Sequence, residues 1–160
     1  MHKTRIDLAE AVRKAAIALL QARLADAVDL ATQAKQAHWN VKGPSFISLH
    51  ELFDRIAGDG AAHADLIAER IVALGGTAEG TAAVAAERSV LPRYPLAIAA
   101  GAEHVEALAT ALAAFGKAVR ADIDRAAELG DQDTADLFTE VSRGADKNLW
   151  FVEAHAQASR

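Results

Sequence analysis

Two pairs of metal-capable side chains stand at the four-residue spacing of a helix, His50-x-x-x-Asp54 and Asp65-x-x-x-Glu69, and His38 lies shortly upstream. Imidazole nitrogens and carboxylate oxygens are ligands for a divalent transition metal. An α-helix turns about 100° and rises about 1.5 Å per residue. With His50 at zero, Asp54 falls near about 40°, Asp65 near about 60° and Glu69 near about 100°, so the four share one face. Phe46, Leu49, Phe53, Ile56, Ile67, Ile71 and Leu74 cluster instead at about 240° to 320° on the same wheel. The ligand face is therefore not the core face. Along the axis the two pairs are about 22 Å apart, while one ion holds its ligands within roughly 2 to 2.5 Å. No single helix can bring both pairs to one ion. A two-fold axis through the middle of the helix would set His50 and Asp54 of one chain against Asp65 and Glu69 of a second, giving two equivalent sites per dimer.

The midpoint of these four positions falls near Asp59 and Gly60, and the ligand face between the outer ligands carries Gly58, Ala61 and Ala68, with Ala57 and Ala62 at its edges. Side chains this small let two backbones approach closely. Gly58-Asp59-Gly60 could instead break the segment, because each glycine costs about 1 kcal/mol against alanine in a helix interior. The apolar period keeps its phase across the glycines, which predicts one helix over residues 44–74. Carboxylates with few imidazoles suit an iron that cycles between Fe(II) and Fe(III) and leave positions open for an oxidant. Zn(II) is an alternative occupant of such a site. A di-iron site inside a helical bundle uses Glu-x-x-His on two helices, and the chain contains no Glu-x-x-His.

The elements that must hold these residues are helices. Thr4 with Asp7 resembles a helix start, and Leu8, Val12, Ala16, Leu19, Leu24 and Val28 continue it at spacings of mostly three or four to Asn40. Gly43-Pro44 ends that helix, and Gly75-Gly76 ends the next. Residues 77–95 form a connection with room for a short helix over 81–88. A third long helix runs from Leu96, with Val105, Leu108, Leu112, Phe115, Val119 and Ile123, to Leu129-Gly130. Asp131 is a candidate N-cap for the fourth, which carries Phe138, Val141, Ala145, Leu149 and Val152. Three of the long helices are expected to exceed about 30 residues, and no strand pattern competes. Four long helices with one long middle connection describe an all-α, ferritin-like four-helix bundle.

Length and composition agree. The 160 residues are 52% hydrophobic and 5% aromatic, with three prolines, a balance that favours long helices in close contact. A chain of this size suits one domain, 1–160, that buries about 70% of its unfolded surface. Zero cysteines excludes disulfides, thiolate metal sites and iron–sulfur clusters. Acids near the N-terminus leave no signal-peptide apolar stretch, and no run approaches the ~18 apolar residues of a membrane span, so a soluble cytoplasmic protein is expected. The net charge of −5 opposes binding to phosphate backbones unless basic residues gather in one place.

Gln36-Ala37-His38-Trp39-Asn40-Val41-Lys42-Gly43, Phe46-Ile47-x-Leu49-His50-Glu51-x-Phe53-Asp54, Asp65-x-x-Ala68-Glu69-Arg70 and Leu74-Gly75-Gly76 resemble the signature of the Dps-type miniferritins. Asp133-Thr134-Ala135-Asp136 and Asp146-Lys147-x-Leu149-Trp150-Phe151 extend the resemblance over nearly the whole chain. It implies a hollow dodecamer built from two-fold dimers. It also implies an intersubunit ferroxidase centre with His38, His50 and Asp54 from one subunit and Asp65 and Glu69 from its neighbour. The implied activity is oxidation of Fe(II), commonly with hydrogen peroxide, with storage of the ferric mineral and protection of DNA from hydroxyl radicals. The rival reading is a structural protein that associates with DNA and turns over little iron. DNA-binding members often use a lysine-rich tail; here only Lys3 and Arg5 lie at the start and Arg160 ends the chain, so direct DNA binding is expected to be weak or absent.

Trp39, beside His38, has two readings: acceptor of a stray oxidising equivalent, or interface packing. Trp150 is expected to pack in the bundle or between subunits. Asp131, Asp133 and Asp136 suit a helix start, where acids favour the dipole, and the resemblance adds a role for Asp131 and Asp136 in lining pores that admit Fe(II). His63 falls near about 220° on the wheel, off the ligand face, and is expected to be structural. No functional role is expected for His2, His104 or His155.

Overall fold

The computed structural model describes residues 1–157, and they form five helices: α1 (Glu10–Asn40), α2 (Phe46–Ala73), α3 (Ala82–Arg88), α4 (Gly101–Glu128) and α5 (Gln132–Gln157). Short turns join α1 to α2 and α4 to α5, so each pair packs as an antiparallel hairpin, and the two hairpins meet through α1 against α4 and α2 against α5. The long connection between α2 and α4 crosses the bundle and lays α3 on α1. This is the expected ferritin-like four-helix bundle with a short helix in its middle connection.

Helix ends show why the chain turns where it does. At the end of α2, Gly75 has φ 91°, its N–H reaches Val72 O at 2.9 Å, and the Gly76 N–H reaches Ile71 O at 2.9 Å. At the end of α4, Gly130 has φ 81°, and the Gly130 and Asp131 N–H groups return to Ala127 O and Ala126 O at 2.9 and 3.1 Å. Both are Schellman closures, which place a residue in the left-handed region where only glycine is unstrained. Asp131 then caps α5, its Oδ1 accepting the Thr134 N–H at 3.1 Å. Thr81 likewise caps α3.

Two expected starts lie further along the chain than the pattern suggested. Residues before Glu10 are not helical: the His2 N–H donates to Gly75 O at 2.7 Å and Arg13 donates to Leu8 O and Leu74 O, which ties this segment across the end of α2. α4 begins at Gly101 rather than Leu96 because Lys42 pairs with the backbone of residues 99–101 in an isolated bridge, and Glu103 Oε2 accepts the N–H groups of Ala99 and Ala100. With those turns lost, α1 at 31 residues is the one helix above 30; α2, α4 and α5 have 28, 28 and 26.

α2 runs unbroken through Gly58-Asp59-Gly60. Gly60 is buried, and a Cβ there would lie 3.1 Å from the Cβ of Ala31, so this glycine serves the contact of α2 with α1 within the chain. Gly58 has nothing within 4 Å of that position and lies open on the ligand face.

The core runs the length of the bundle, with Leu20, Leu24, Phe53, Ile56, Ile67, Ile71, Leu108, Leu112, Phe115 and Phe138 fully buried. Each contributes about 1.5–3 kcal/mol by leaving water. A charged layer interrupts it: Arg23 sits 3.0 Å from Asp26 and 3.3 Å from Asp122, and Asp122 also meets Arg125 at 3.0 Å. Asp26 holds the crossover by accepting the Val90 N–H at 2.9 Å, and burial raises its pKa against the pull of that bond and of Arg23. Gln33 and Gln21 donate to Pro92 O and Thr77 O, at 3.0 and 2.7 Å, and add two further ties from α1.

Candidate metal centre

His38 lies in the last turn of α1 and His50 in the second turn of α2. The tight loop between these helices folds one ring onto the other, with centroids 3.7 Å apart and planes within 22°. Nδ1 of His38 meets the carbonyl oxygen of His50 at 2.8 Å, and Nδ1 of His50 meets that of His38 at 2.8 Å. A carbonyl only accepts, so each Nδ1 carries a proton, which leaves Nε2 as the nitrogen available to a ligand. That is the tautomer a metal ligand needs, fixed by a backbone partner on the other nitrogen. Phe46 covers His50 with ring centroids 5.0 Å apart.

Asp54 stands one turn further along α2 beside these rings and forms an ion pair with Lys35 of α1, both side chains being about half exposed. The Lys35 hydrogen bond holds the Asp54 carboxyl below its ordinary range, and the positive charge of Lys35 adds to the effect. Lys35 was not singled out from the sequence, although it lies three residues before His38 and so on the same side of α1.

Asp65 and Glu69 lie on the same helix, exposed, 15 residues beyond His50 and Asp54 respectively. Fifteen residues correspond to about 22 Å of helix. Among the described residues of the single chain, no three His, Asp or Glu side chains converge on a point suited to a metal ion. One subunit thus stacks His38 on His50 at one end of the helix, with Asp54 one turn further along and held by Lys35, and leaves Asp65 and Glu69 at the other. Beside Asp54 a cavity of about 990 Å³ opens between α1, α2 and the crossover, lined among others by Lys35, Trp39, Gly58, Ala61 and Tyr94. Trp39 is 68% exposed on this face.

The remaining candidates separate clearly. Asp131 is buried, with Oδ1 on the Thr134 N–H and on Arg70 at 2.7 Å and Oδ2 on the Thr134 hydroxyl at 2.6 Å. Its carboxylate is committed to the cap and to Arg70, which corrects the expectation that it lines a pore. Asp133 and Asp136 are exposed at the same helix start. Trp150 is 60% exposed and leans on Phe151, outside the bundle core, so packing within the bundle does not hold for it. His63 is half-buried against Gly144 of α5, and burial lowers its pKa while Asp59 and Glu140 oppose the shift. His2 and His155 are exposed. His104 is buried and is met by Tyr94, a contact that sequence spacing does not reveal.

A ferritin-like domain model matches residues 17–160. The fold and the histidine–carboxylate face therefore define a ferritin-like helical-bundle protein. The DNA protection during starvation protein of Agrobacterium fabrum is 44% identical over 98% of this chain and 96% of its own length. The Dps of Microbacterium arborescens, solved in a high iron form, superposes with a TM-score of 0.87 at 33% identity, over 96% of this chain and 97% of that one. A Mycobacterium smegmatis Dps gives 0.93 at 29% identity, covering 99% and 96%. The chain belongs to the Dps-type miniferritins.

Proposed function

We propose that this protein is a ferroxidase and iron-storage cage that protects DNA by removing Fe(II) and hydrogen peroxide together. Membership of the Dps family supports iron storage and DNA protection as the general role. The observation that carries the finer reading is the division of the α2 ligand face. His38 and His50 are stacked and held by backbone partners at one end with Asp54 one turn on, and Asp65 and Glu69 lie about 22 Å away along the helix. A second copy, related by a two-fold axis, supplies the missing carboxylates to each end.

In this reading Fe(II) is the substrate. Nε2 of His38 and His50 and the carboxylates of Asp54, Asp65 and Glu69 bind it, and Zn(II) is the competing occupant. Lys35 releases Asp54 when the cation arrives, since one carboxylate oxygen cannot serve both at full strength. Two equivalent centres form per dimer, and dimers assemble into a hollow dodecamer that stores the ferric product. Asp133 and Asp136 are the exposed acids available to an entry pore. The functional unit is one ferritin-like domain over residues 1–160, acting in the cytoplasm. Among the described residues no helix is long and apolar enough to cross a membrane. Direct DNA binding is weak, because a net charge of −5 repels the duplex and protection proceeds through iron chemistry.

The test mixes metal-free protein anaerobically with Fe(II), adds hydrogen peroxide, and follows ferric absorbance alongside native mass. The His50→Ala/Asp65→Ala variant is the comparison. Rapid oxidation lost in the variant while the assembly persists is the expected result. Equal rates in both would leave only a cage.

A further inference from the structure

Tyr94 is the sole tyrosine of the chain. It projects from the crossover, half-buried, and its hydroxyl lies 2.5 Å from Nδ1 of His104 on α4. His104 is 1% exposed, packed with Phe53 at 6.5 Å between ring centroids, and its Nε2 is buried without a hydrogen bond of good geometry, although the Asn40 carbonyl faces the ring. Burial lowers the pKa of His104 and raises that of Tyr94, so at neutral pH the pair is a neutral imidazole accepting from an intact phenol. With the phenol intact, moving its proton to an imidazole at that depth is opposed by desolvation, whereas loss of an electron makes the phenol acidic enough to drive the transfer. Tyr94 also lines the cavity that Trp39 and Asp54 line, on the ligand side of the bundle.

A phenol in a half-buried site loses an electron readily only when its proton has somewhere to go, because a protonated phenol radical is a strong acid. We propose that Tyr94 is a one-electron donor to the peroxide reaction at the iron centre, with Nδ1 of His104 taking the phenol proton. The inference rests on the ferroxidase reading above. Hydrogen peroxide needs two electrons and two protons to become two waters, whereas a single Fe(II) supplies one electron. Where only one Fe(II) is bound, Tyr94 supplies the second electron and its proton moves to His104, while two protons come from solvent. The products are Fe(III), two waters, a neutral tyrosyl radical and an imidazolium. A later Fe(II) reduces the radical, His104 returns the proton, and the sum is two Fe(II) oxidised per peroxide with no hydroxyl radical released.

The experiment loads the metal-free assembly with less than one Fe(II) per centre, adds hydrogen peroxide, and freezes samples at intervals for electron paramagnetic resonance. Ferric absorbance is read on the same samples, for wild type, Tyr94→Phe and His104→Gln. Expected is a transient tyrosyl signal in wild type, absent in Tyr94→Phe, and several-fold weaker in His104→Gln, with ferric absorbance present in all three. Ferric absorbance without any tyrosyl signal in wild type overturns the donor role and leaves the ferroxidase reading standing. An undiminished signal in His104→Gln overturns the proton-acceptor assignment. Absence of ferric absorbance in wild type overturns both readings.

Discussion

If each centre combines His50 and Asp54 of one subunit with Asp65 and Glu69 of its partner, two inactive variants must restore one another. A His50→Gln/Asp54→Asn chain and an Asp65→Asn/Glu69→Gln chain each form dimers with two damaged centres. In a mixed dimer the damage is gathered in one centre, and the other has all of its ligands intact. Random pairing of equal amounts makes about half of the dimers mixed, and each has one good centre of two, so about a quarter of wild-type centres return. The near-isosteric replacements keep side chains of similar volume at each position, so loss of rate reports ligation rather than collapse of the bundle. The assay co-expresses the two chains with different tags, isolates doubly tagged assemblies, and compares initial ferric absorbance per subunit after hydrogen peroxide with each single variant and with wild type. Activity near a quarter of wild type, against a background from each variant alone, is expected. No recovery in doubly tagged assemblies, or full activity in either variant alone, would refute an intersubunit centre.

Replacing Gly144 by alanine would place a Cβ 2.6 Å from Nε2 of His63; the overpacking should cost about 1–3 kcal/mol, seen as a lower urea midpoint, and His63→Ala in the same chain should restore part of it. Burial holds the pKa of His63 below its ordinary value of 6.5. Stability from the neutral ring is therefore complete above that value and falls as pH drops through the range beneath it, so His63→Gln should flatten the loss of melting temperature between about pH 7 and about pH 5. Arg23→Met strands Asp26 and leaves Asp122 with the mostly exposed Arg125 alone; a cost of about 3–5 kcal/mol is expected in chemical unfolding, partly relieved by Asp26→Asn. Lys35→Met should raise the Asp54 pKa toward the ordinary carboxylate range in an NMR titration, because the Lys35 hydrogen bond is the largest cause of its depression.

Much of this molecule could be read from residue order because its signals are local. Gly75 and Gly130 announce their helix ends through a backbone conformation that other residues resist, and Asp131 announces its cap through a short side chain placed before a helix. The face shared by His50, Asp54, Asp65 and Glu69 follows from helical period alone. What sequence pattern concealed depends on contacts between distant segments. The start of α4 is set by Lys42, which bonds to the backbone of Ala99, and the pattern at Leu96 carries no trace of that. Arg70 buries Asp131 from sixty-one positions away, which converts a candidate pore acid into a structural one. Tyr94 and His104 lie ten residues apart across an irregular segment, where no periodicity relates them.

The crossed bonds between His38 and His50 also have a mechanical meaning. The His38 carbonyl belongs to the last turn of α1, where a helix has run out of its own donors, and the His50 ring provides one. The two histidines thus latch the hairpin shut, whereas Asp65 and Glu69 tie no two elements together among the described residues. An engineer who wants an empty shell for foreign cargo should therefore silence the carboxylates and leave the imidazoles alone. Under the proposed function, removing the histidines would both disarm the centre and loosen the hinge between α1 and α2.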